Sequence, residues 1–236
     1  MVGIPGKYYL ILVSQPRARE DYSSGHLGAG KSVLTANIVE DIQKRENLNL
    51  LYFFFRDGDL KTTSPLEMVV SLIAQLITSG TDYPRLMGIL KMHIEAGRCF
   101  NGGGRSDFKV IWTILLEMLL GYPQQIVIVL DALDECADPA ILSKNIQLQG
   151  IAESGVKLLL TGRPVVDRWF SQLPNVTSIP MGVDEDIRKF VKEKVENHET
   201  LKNHGDKIIA TIHRNSAGMF RYAGVCKSLK NPGLSS

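Results

Sequence analysis

Cysteine is scarce in this chain of 236 residues, which contains only Cys99, Cys136 and Cys226. The three are odd in number, widely spaced and without C-x-x-C spacing, so they predict neither a disulfide framework nor a zinc site. Few cysteines without a pairing pattern are typical of proteins in a reducing compartment, so we expect a cytoplasmic protein. The five histidines show no metal-ligand spacing either. The sequence therefore offers no metal site built from cysteine or histidine.

Long apolar runs and an excess of charge are also missing. No apolar run approaches the length of about 18 residues that a membrane-spanning helix needs. The stretch at residues 8–13 is too short, and its flank too polar, for a signal peptide. The net charge is only +2, with lysine and arginine scattered along the chain. This gives no electrostatic reason to expect nucleic acid, so we expect neither a membrane nor a nucleic-acid partner.

The first of two informative motifs is a glycine-rich loop at residues 25–32. Its sequence GHLGAGKS fits the pattern G-x-x-x-x-G-K-[ST], in which backbone N–H groups and a lysine bind phosphate oxygens. The structural alternative is an ordinary glycine-rich surface loop. The residues expected to bind the nucleotide are Gly25, Gly28, Ala29, Gly30, Lys31, Ser32 and Val33.

The second motif is an apolar strand that ends in acids. Residues 126–130 are all β-branched or leucine, which predicts a strand buried on both faces of a parallel sheet. Asp131 follows directly, and a carboxylate at the edge of a core costs free energy unless it is paired or metal-bound. We expect Lys31 to contact the β- and γ-phosphates, and Ser32 and Asp131 to hold Mg²⁺. The alternatives are a solvated lysine, a serine that caps a helix and a structural aspartate.

Strands alternate with helices along most of the chain, which predicts an α/β fold with a parallel sheet followed by a small helical lid. Strands are predicted at residues 50–55, 125–130, 156–161 and 176–179. Helices are predicted at residues 32–44, 64–77, 84–95, 108–120, 139–149, 185–197, 206–214 and 217–229. The expected domains are an irregular segment at 1–24, a core at 25–182, the lid at 183–230 and a disordered tail at 231–236.

Five stretches together resemble a NACHT domain, most closely the fungal-type, nephrocystin-like N-terminal module of the signal-transducing (STAND) P-loop NTPases. They are the glycine loop, YFFFRD at 52–57, LDALDEC at 130–136, KLLLTGRP at 157–164 and AGMFRY at 217–222. The resemblance implies a three-layer P-loop NTPase fold and slow hydrolysis of ATP or GTP with Mg²⁺. It also implies a piece of a larger NLR-like protein, with effector and repeat modules for protein partners and a nucleotide-dependent oligomer.

The same resemblance implies roles for further residues. The strand that bears Asp131 should lie beside the strand that precedes the glycine loop, and the next strand should carry a γ-phosphate sensor. Arg163 looks like that sensor, with an exposed loop arginine as the alternative. Asp134 and Glu135 both stand where the family places the acid that polarises the attacking water, and we favour Glu135 slightly.

The sequence departs from the family pattern just before the glycine loop. A buried strand should lead directly into that loop, yet the apolar run at 8–13 is followed by a polar stretch at 14–24. We hypothesise that about residues 7–27 are a translated intron. Splicing inside the codons of Gly6 and Gly28 would merge these two residues into one glycine and leave the regular loop GIPGAGKS. The alternative is a genuine insertion, with residues 8–13 as the first strand.

Three functions fit these features. The first is a nucleoside-triphosphatase module that acts as a signalling switch. The second is a non-catalytic nucleotide-binding or interaction fragment with a disrupted P-loop. The third, a P-loop kinase for a small molecule, is disfavoured because no separate acceptor-binding segment is evident.

Overall fold

The computed structural model describes residues 10–14, 31–98, 107–148, 154–170, 176–180, 184–197 and 205–216. The strands are β1 (Leu10–Ser14), β2 (Leu48–Phe54), β3 (Gln125–Asp131), β4 (Lys157–Thr161) and β5 (Val176–Pro180). The helices are α1 (Lys31–Gln43), α2 (Leu60–Thr63), α3 (Pro65–Thr78), α4 (Tyr83–Glu95), α5 (Phe108–Leu119), α6 (Pro139–Leu148), α7 (Asp167–Phe170), α8 (Asp184–Glu196) and α9 (Gly205–Ser216). Single 3₁₀ turns cover Leu133–Glu135 and Pro164–Val166.

Most predicted elements are confirmed. Each predicted strand, and each predicted helix up to residue 214, has a counterpart whose ends agree within about two residues. The short helices α2 and α7 were not predicted, because four residues are too few to establish a helical period. The helix predicted at 217–229 lies outside the described residues.

The five strands form one sheet in the order β2-β3-β4-β1-β5. The pairs β2–β3, β3–β4 and β4–β1 are parallel, as the α/β prediction requires. The expectation that the Asp131 strand lies beside the strand preceding the glycine loop is wrong. Leu160 of β4 is in register with both Leu12 of β1 and Leu130 of β3, so β4 lies between them. The end of β4 therefore lies next to Asp131.

Strand β1 corrects a second expectation. Residues 1–24 were predicted to be irregular, but Leu10–Ser14 is extended and pairs with β4. Its sequence LILVS has the apolar, branched residues that favour a strand. The strand agrees with the alternative of a genuine insertion, whereas the intron hypothesis itself stays a prediction. Residues 15–30, with the four expected ligands Gly25, Gly28, Ala29 and Gly30, lie outside the described residues.

One face of the sheet is covered by α3 and α5. Ser64 caps α3, because its side chain accepts a hydrogen bond from the Glu67 N–H, and Pro65 follows at the first helical position. The apolar residues of α3 and α5 recur every three or four positions and point to the sheet. The buried members of α3 are Pro65, Met68, Val69, Leu72, Ile73 and Leu76.

Successive side chains of a strand point to opposite faces of the sheet, which assigns the end residues of β3 and β4 to a face. Ile126, Ile128 and Leu130 of β3 join the core under α3 and α5, so Asp131 belongs to the opposite face. By the same alternation Leu160 of β4 lies in that core and Thr161 on the Asp131 face. Residues 126–130 are all buried, which confirms the strand predicted to be covered on both faces.

The chain divides into two compact units. The first comprises Met1–Ser14 and Leu34–Ile179, and the second comprises Gln15–Val33 and Pro180–Ser236. In the second unit α8 packs on α9, with Ile187, Val191 and Val195 buried between them. The predicted role of this helical pair as a lid stays a prediction.

Candidate functional site

Asp131 is a buried carboxylate with two threonine donors. Its side chain is at the end of β3 and only 1% of the residue is exposed. Its Oδ1 accepts a hydrogen bond from Thr35 Oγ1 of α1 at 2.8 Å, and a second from Thr161 Oγ1 of β4. The Thr161 hydroxyl in turn accepts from the Ala132 N–H at 3.2 Å. Since a buried charge is costly without such partners, the two hydroxyls help to stabilise a carboxylate at this position.

The chain leaves β3 through a left-handed residue. Ala132 has φ 56° and ψ 48°, and it is the one non-glycine residue with positive φ in the described part of the chain. This conformation is unfavourable for a residue with a Cβ. The Thr161 hydroxyl stabilises it by accepting the Ala132 N–H. The bend leads directly into the 3₁₀ turn that carries Asp134 and Glu135.

Asp134 is tied to the loop that follows β4. Its Oδ1 accepts from the Arg163 N–H at 2.9 Å, and its Oδ2 lies 2.9 Å from Arg163 Nε. The Asp134 side chain is only 7% exposed, while that of Arg163 is 35% exposed. Gly162 permits this approach, because a Cβ there would lie 2.8 Å from Val166 Cγ2 and 3.5 Å from Asp134 Oδ1. Both oxygens of Asp134 are thus engaged by one residue.

Glu135 points to a different loop, the one that follows β2. Its Oε2 accepts from the Asp57 N–H at 2.8 Å. The short helix α2, which follows that loop, is joined to the segment after Glu135, since the Ala137 N–H donates to the Thr63 carbonyl at 2.8 Å. Glu135 is half-buried, and its Oε1 makes no hydrogen bond to another described residue. Two acids that are adjacent in sequence therefore have different surroundings.

The last residues of the glycine motif begin α1. Lys31 is half-buried, whereas Ser32 and Val33 are exposed. Thr35 lies four positions after Lys31 and three after Ser32 in the same helix, and residues at these spacings share one helix face. The first two turns of α1 thus carry the motif lysine and serine together with the threonine that contacts Asp131.

Sequence reasoning missed three residues of this site. Thr35 is a polar residue at a buried position of α1, and Thr161 ends an apolar strand just as Asp131 does. Both signals were present in the sequence, because a polar group at an otherwise apolar position needs a partner. Gly162 had no local signal, since its requirement comes from Val166 four residues later.

The donor set can be tested against the expected ion. The described residues contain no group of three or more histidine, cysteine, aspartate or glutamate side chains that could hold a metal by themselves. Mg²⁺ is commonly held by one or two carboxylates, with phosphate oxygens and waters completing the shell. A single buried carboxylate among hydroxyls fits that ion and does not fit zinc.

In the described part of the chain, no helix is long and apolar enough to cross a bilayer.

A comparison with protein families shows which family this chain belongs to. A family model described as Nephrocystin 3, N-terminal matches residues 22–163, which is more than half of the chain. The chain belongs to this family. The predicted resemblance to nephrocystin-like NACHT modules is therefore confirmed. The family match and the parallel sheet with its helices also confirm the predicted α/β P-loop NTPase class.

Individual relatives are distant. The chain is 22% identical over 230 residues to the vegetative incompatibility protein HET-E-1 of Podospora anserina. The match covers 89% of this chain and 16% of the relative, so the chain spans about one sixth of that protein's length. Among solved structures, Cdc6p from Pyrobaculum aerophilum has 17% identity and a TM-score of 0.44, over 79% of this chain and 43% of that chain. The Orc1 protein of Aeropyrum pernix, solved in complex with DNA, has 13% identity and a TM-score of 0.41, over 80% and 44%.

Proposed function

We propose that this chain binds ATP or GTP with Mg²⁺, hydrolyses it slowly and acts as a nucleotide-dependent switch. The observation that carries the proposal is the hydrogen bond from Thr35 to Asp131. It joins the helix that begins at Lys31 and Ser32 to the end of β3. A phosphate-binding motif that opens a helix, held against a strand-end carboxylate, has the parts that a triphosphate with Mg²⁺ requires.

The phosphates would be bound by the glycine loop and the start of α1. The loop and helix N–H groups, together with the Lys31 ammonium, offer positive charge to phosphate oxygens. The Ser32 hydroxyl and the Asp131 carboxylate would hold Mg²⁺, which would supply charge neutralisation at the β- and γ-phosphates. The backbone donors proposed for the loop are those of Gly25, Gly28, Ala29 and Gly30, followed by Val33 in α1.

Glu135 is the better candidate for polarising the attacking water. Both oxygens of Asp134 are engaged by Arg163, whereas Glu135 uses one oxygen to accept from the Asp57 N–H. A general base needs a carboxylate oxygen that can reach a water. We therefore assign the base to Glu135 and a positioning role to Asp134.

Arg163 is the proposed sensor of the γ-phosphate. Its guanidinium is about one third exposed and forms an ion pair with Asp134 through Nε. An arginine in such a pair can exchange the carboxylate for phosphate oxygens, because both accept charge-assisted hydrogen bonds. Movement of Arg163 would then shift the loop after β4 and pass the nucleotide state to the helical pair α8–α9.

One observation favours a second candidate, a non-catalytic nucleotide-binding or interaction fragment. Strand β1 ends at Ser14, and a polar stretch separates it from the glycine motif at Gly25. A strand that does not lead directly into the loop leaves the loop less firmly positioned. This candidate predicts binding of nucleotide without turnover.

Phosphate release from labelled ATP and GTP tests the proposal. Purified protein with Mg²⁺ should release phosphate, and Lys31→Ala should abolish release, whereas Lys44→Ala, at an exposed lysine just after α1, should not. Glu135→Gln should lower turnover about a hundredfold or more, as expected for a general base, while Asp134→Asn should lower it less. Binding without any release would favour the second candidate, and transfer of phosphate to a metabolite would favour a kinase.

A further inference from the structure

The Asp131 carboxylate is oriented by a residue outside both sequence motifs. Thr35 lies in the second turn of α1 and is fully buried. Its Oγ1 lies 2.8 Å from Asp131 Oδ1, although the two residues are 96 positions apart in the chain. We propose that Thr35 is a positioning residue that sets the Asp131 carboxylate for Mg²⁺. The inference rests on the proposed function and assigns part of its metal dependence to a single hydroxyl.

The hydrogen bond from Thr35 to Asp131 differs from the hydrogen bonds of the threonines in α3 and α5. Thr113 in α5 donates to the Lys109 carbonyl at 2.9 Å, and Thr78 in α3 donates to the Ala74 carbonyl at 2.9 Å. These are bonds within one helix, four residues back, which helical threonines commonly make. Thr35 reaches a charged group on another element. A hydrogen bond from a buried hydroxyl to a carboxylate is stronger than a hydrogen bond from a hydroxyl to a carbonyl, because the carboxylate is ionised.

Thr35 and Thr161 act on the same oxygen atom. Thr161 accepts the Ala132 N–H and donates to Asp131 Oδ1, so its hydroxyl proton has a defined direction. With two donors on Oδ1, the planar carboxylate cannot rotate about its Cβ–Cγ bond without breaking one of the bonds. The direction of the second oxygen is thereby fixed as well. Fixed carboxylates lose less entropy when they bind a cation, and hydrogen bonds behind a metal ligand tune its affinity.

Thr35 also fixes the helix that carries the other proposed ligand. It shares a face of α1 with Lys31 and Ser32, which precede it by four and three positions. The bond to Asp131 therefore joins α1 to the end of β3. Loss of the hydroxyl should weaken the Mg²⁺-dependent part of nucleotide binding more than the part that the phosphate loop supplies without metal.

The test measures binding of a fluorescent nucleotide analogue in EDTA and across a Mg²⁺ titration. The variant Thr35→Val keeps the shape of the side chain and removes the hydroxyl. In this variant, the Mg²⁺ concentration that gives half of the maximal increase in nucleotide affinity should rise about tenfold or more, as it does when other residues that hydrogen-bond to metal ligands are changed. Affinity in EDTA should stay within about twofold of the wild type. Thr35→Ser should behave like the wild type because it retains the donor. Thr113→Val is the matched control in another helix and should also change nothing.

Three results would overturn the inference. An unchanged Mg²⁺ dependence in Thr35→Val would mean that the hydroxyl does not position the carboxylate. An equal loss of affinity in EDTA and in Mg²⁺ would mean a general structural role. Failure of both Thr35→Val and the smaller Thr35→Ala to fold, judged by circular dichroism, would also contradict a role specific to the metal. If the wild type binds no nucleotide at all, the proposed function fails first, and that outcome is distinct from these three.

Discussion

Removing the Asp134 carboxylate should destabilise the fold much more than removing its neighbour Glu135. Asp134 is 7% exposed and accepts from both the N–H and the Nε of Arg163. Hydrogen bonds to charged groups contribute about 1.5–3 kcal/mol each. Because the guanidinium is partly exposed and regains water when the pair is broken, the lower end of that range applies. Asp134→Ala should therefore cost about 3 kcal/mol of unfolding free energy.

Glu135→Ala is the matched control for this prediction. Glu135 is half-buried and accepts one backbone hydrogen bond, that of Asp57, at an exposed position, so by the same reasoning its loss should cost about 1.5 kcal/mol or less, at most half the cost of Asp134→Ala. Urea denaturation followed by far-ultraviolet circular dichroism measures both variants. In a thermal scan, about 3 kcal/mol corresponds to a lower midpoint by roughly 6–12 °C for a domain of this size.

A double-mutant cycle isolates the ion pair itself. Asp134→Ala combined with Arg163→Ala should destabilise less than the sum of the single changes, by about 1–2 kcal/mol, because the two residues contact each other. Equal costs of Asp134→Ala and Glu135→Ala, or a coupling near zero, would refute the reasoning. Asp134 would then be no more fixed than Glu135, and the choice between them as the base would be open again.

Three further predictions concern the surroundings of the site. Ala132→Gly should stabilise the protein by about 1 kcal/mol, because glycine adopts positive φ without strain, whereas Gly58→Ala, at φ 91°, should destabilise it in the same urea assay. Gly162→Ala should lower the thermal midpoint, since the new Cβ would lie 2.8 Å from Val166 Cγ2; an unchanged midpoint would contradict the packing. Burial raises the pKa of the Cys136 thiol from 9.0 to about 11, so its alkylation at pH 8.5, followed by peptide mass mapping, should be about tenfold or more slower in folded protein than in urea. Because the native state retains this proton more tightly than the unfolded state, the contribution of Cys136 to stability should be complete below pH 9 and should be lost as the pH rises towards 11.

The sequence predicted those parts of the fold that local patterns determine. The buried strand at 126–130 could be predicted because five consecutive apolar residues put apolar side chains on both faces of the strand, so both faces must be covered. Helix α3 could be bounded because Ser64 and Pro65 form a start signal that the structure uses as a cap. The family could be recognised because several short motifs occurred in the expected order, and the family match includes most of them.

The remaining features depend on contacts between distant residues. The order of the sheet places β4 between β1 and β3, and no local pattern encodes which strands are neighbours. The bond from Thr35 to Asp131 likewise joins two elements that are far apart in the chain. Asp134 and Glu135 could not be separated by spacing alone, because a left-handed residue at Ala132 and the following 3₁₀ turn send adjacent side chains to different loops.

Mg²⁺-dependent nucleotide binding by Asp131→Asn tests the central claim most directly. The control is Asp41→Asn, which removes one negative charge from an exposed position of α1. The account predicts that Mg²⁺ strengthens binding of ATP or GTP to the wild type and to Asp41→Asn, and that Asp131→Asn loses this gain while still binding in EDTA. Full Mg²⁺-dependent strengthening in Asp131→Asn, or no nucleotide binding by the wild type, would contradict it.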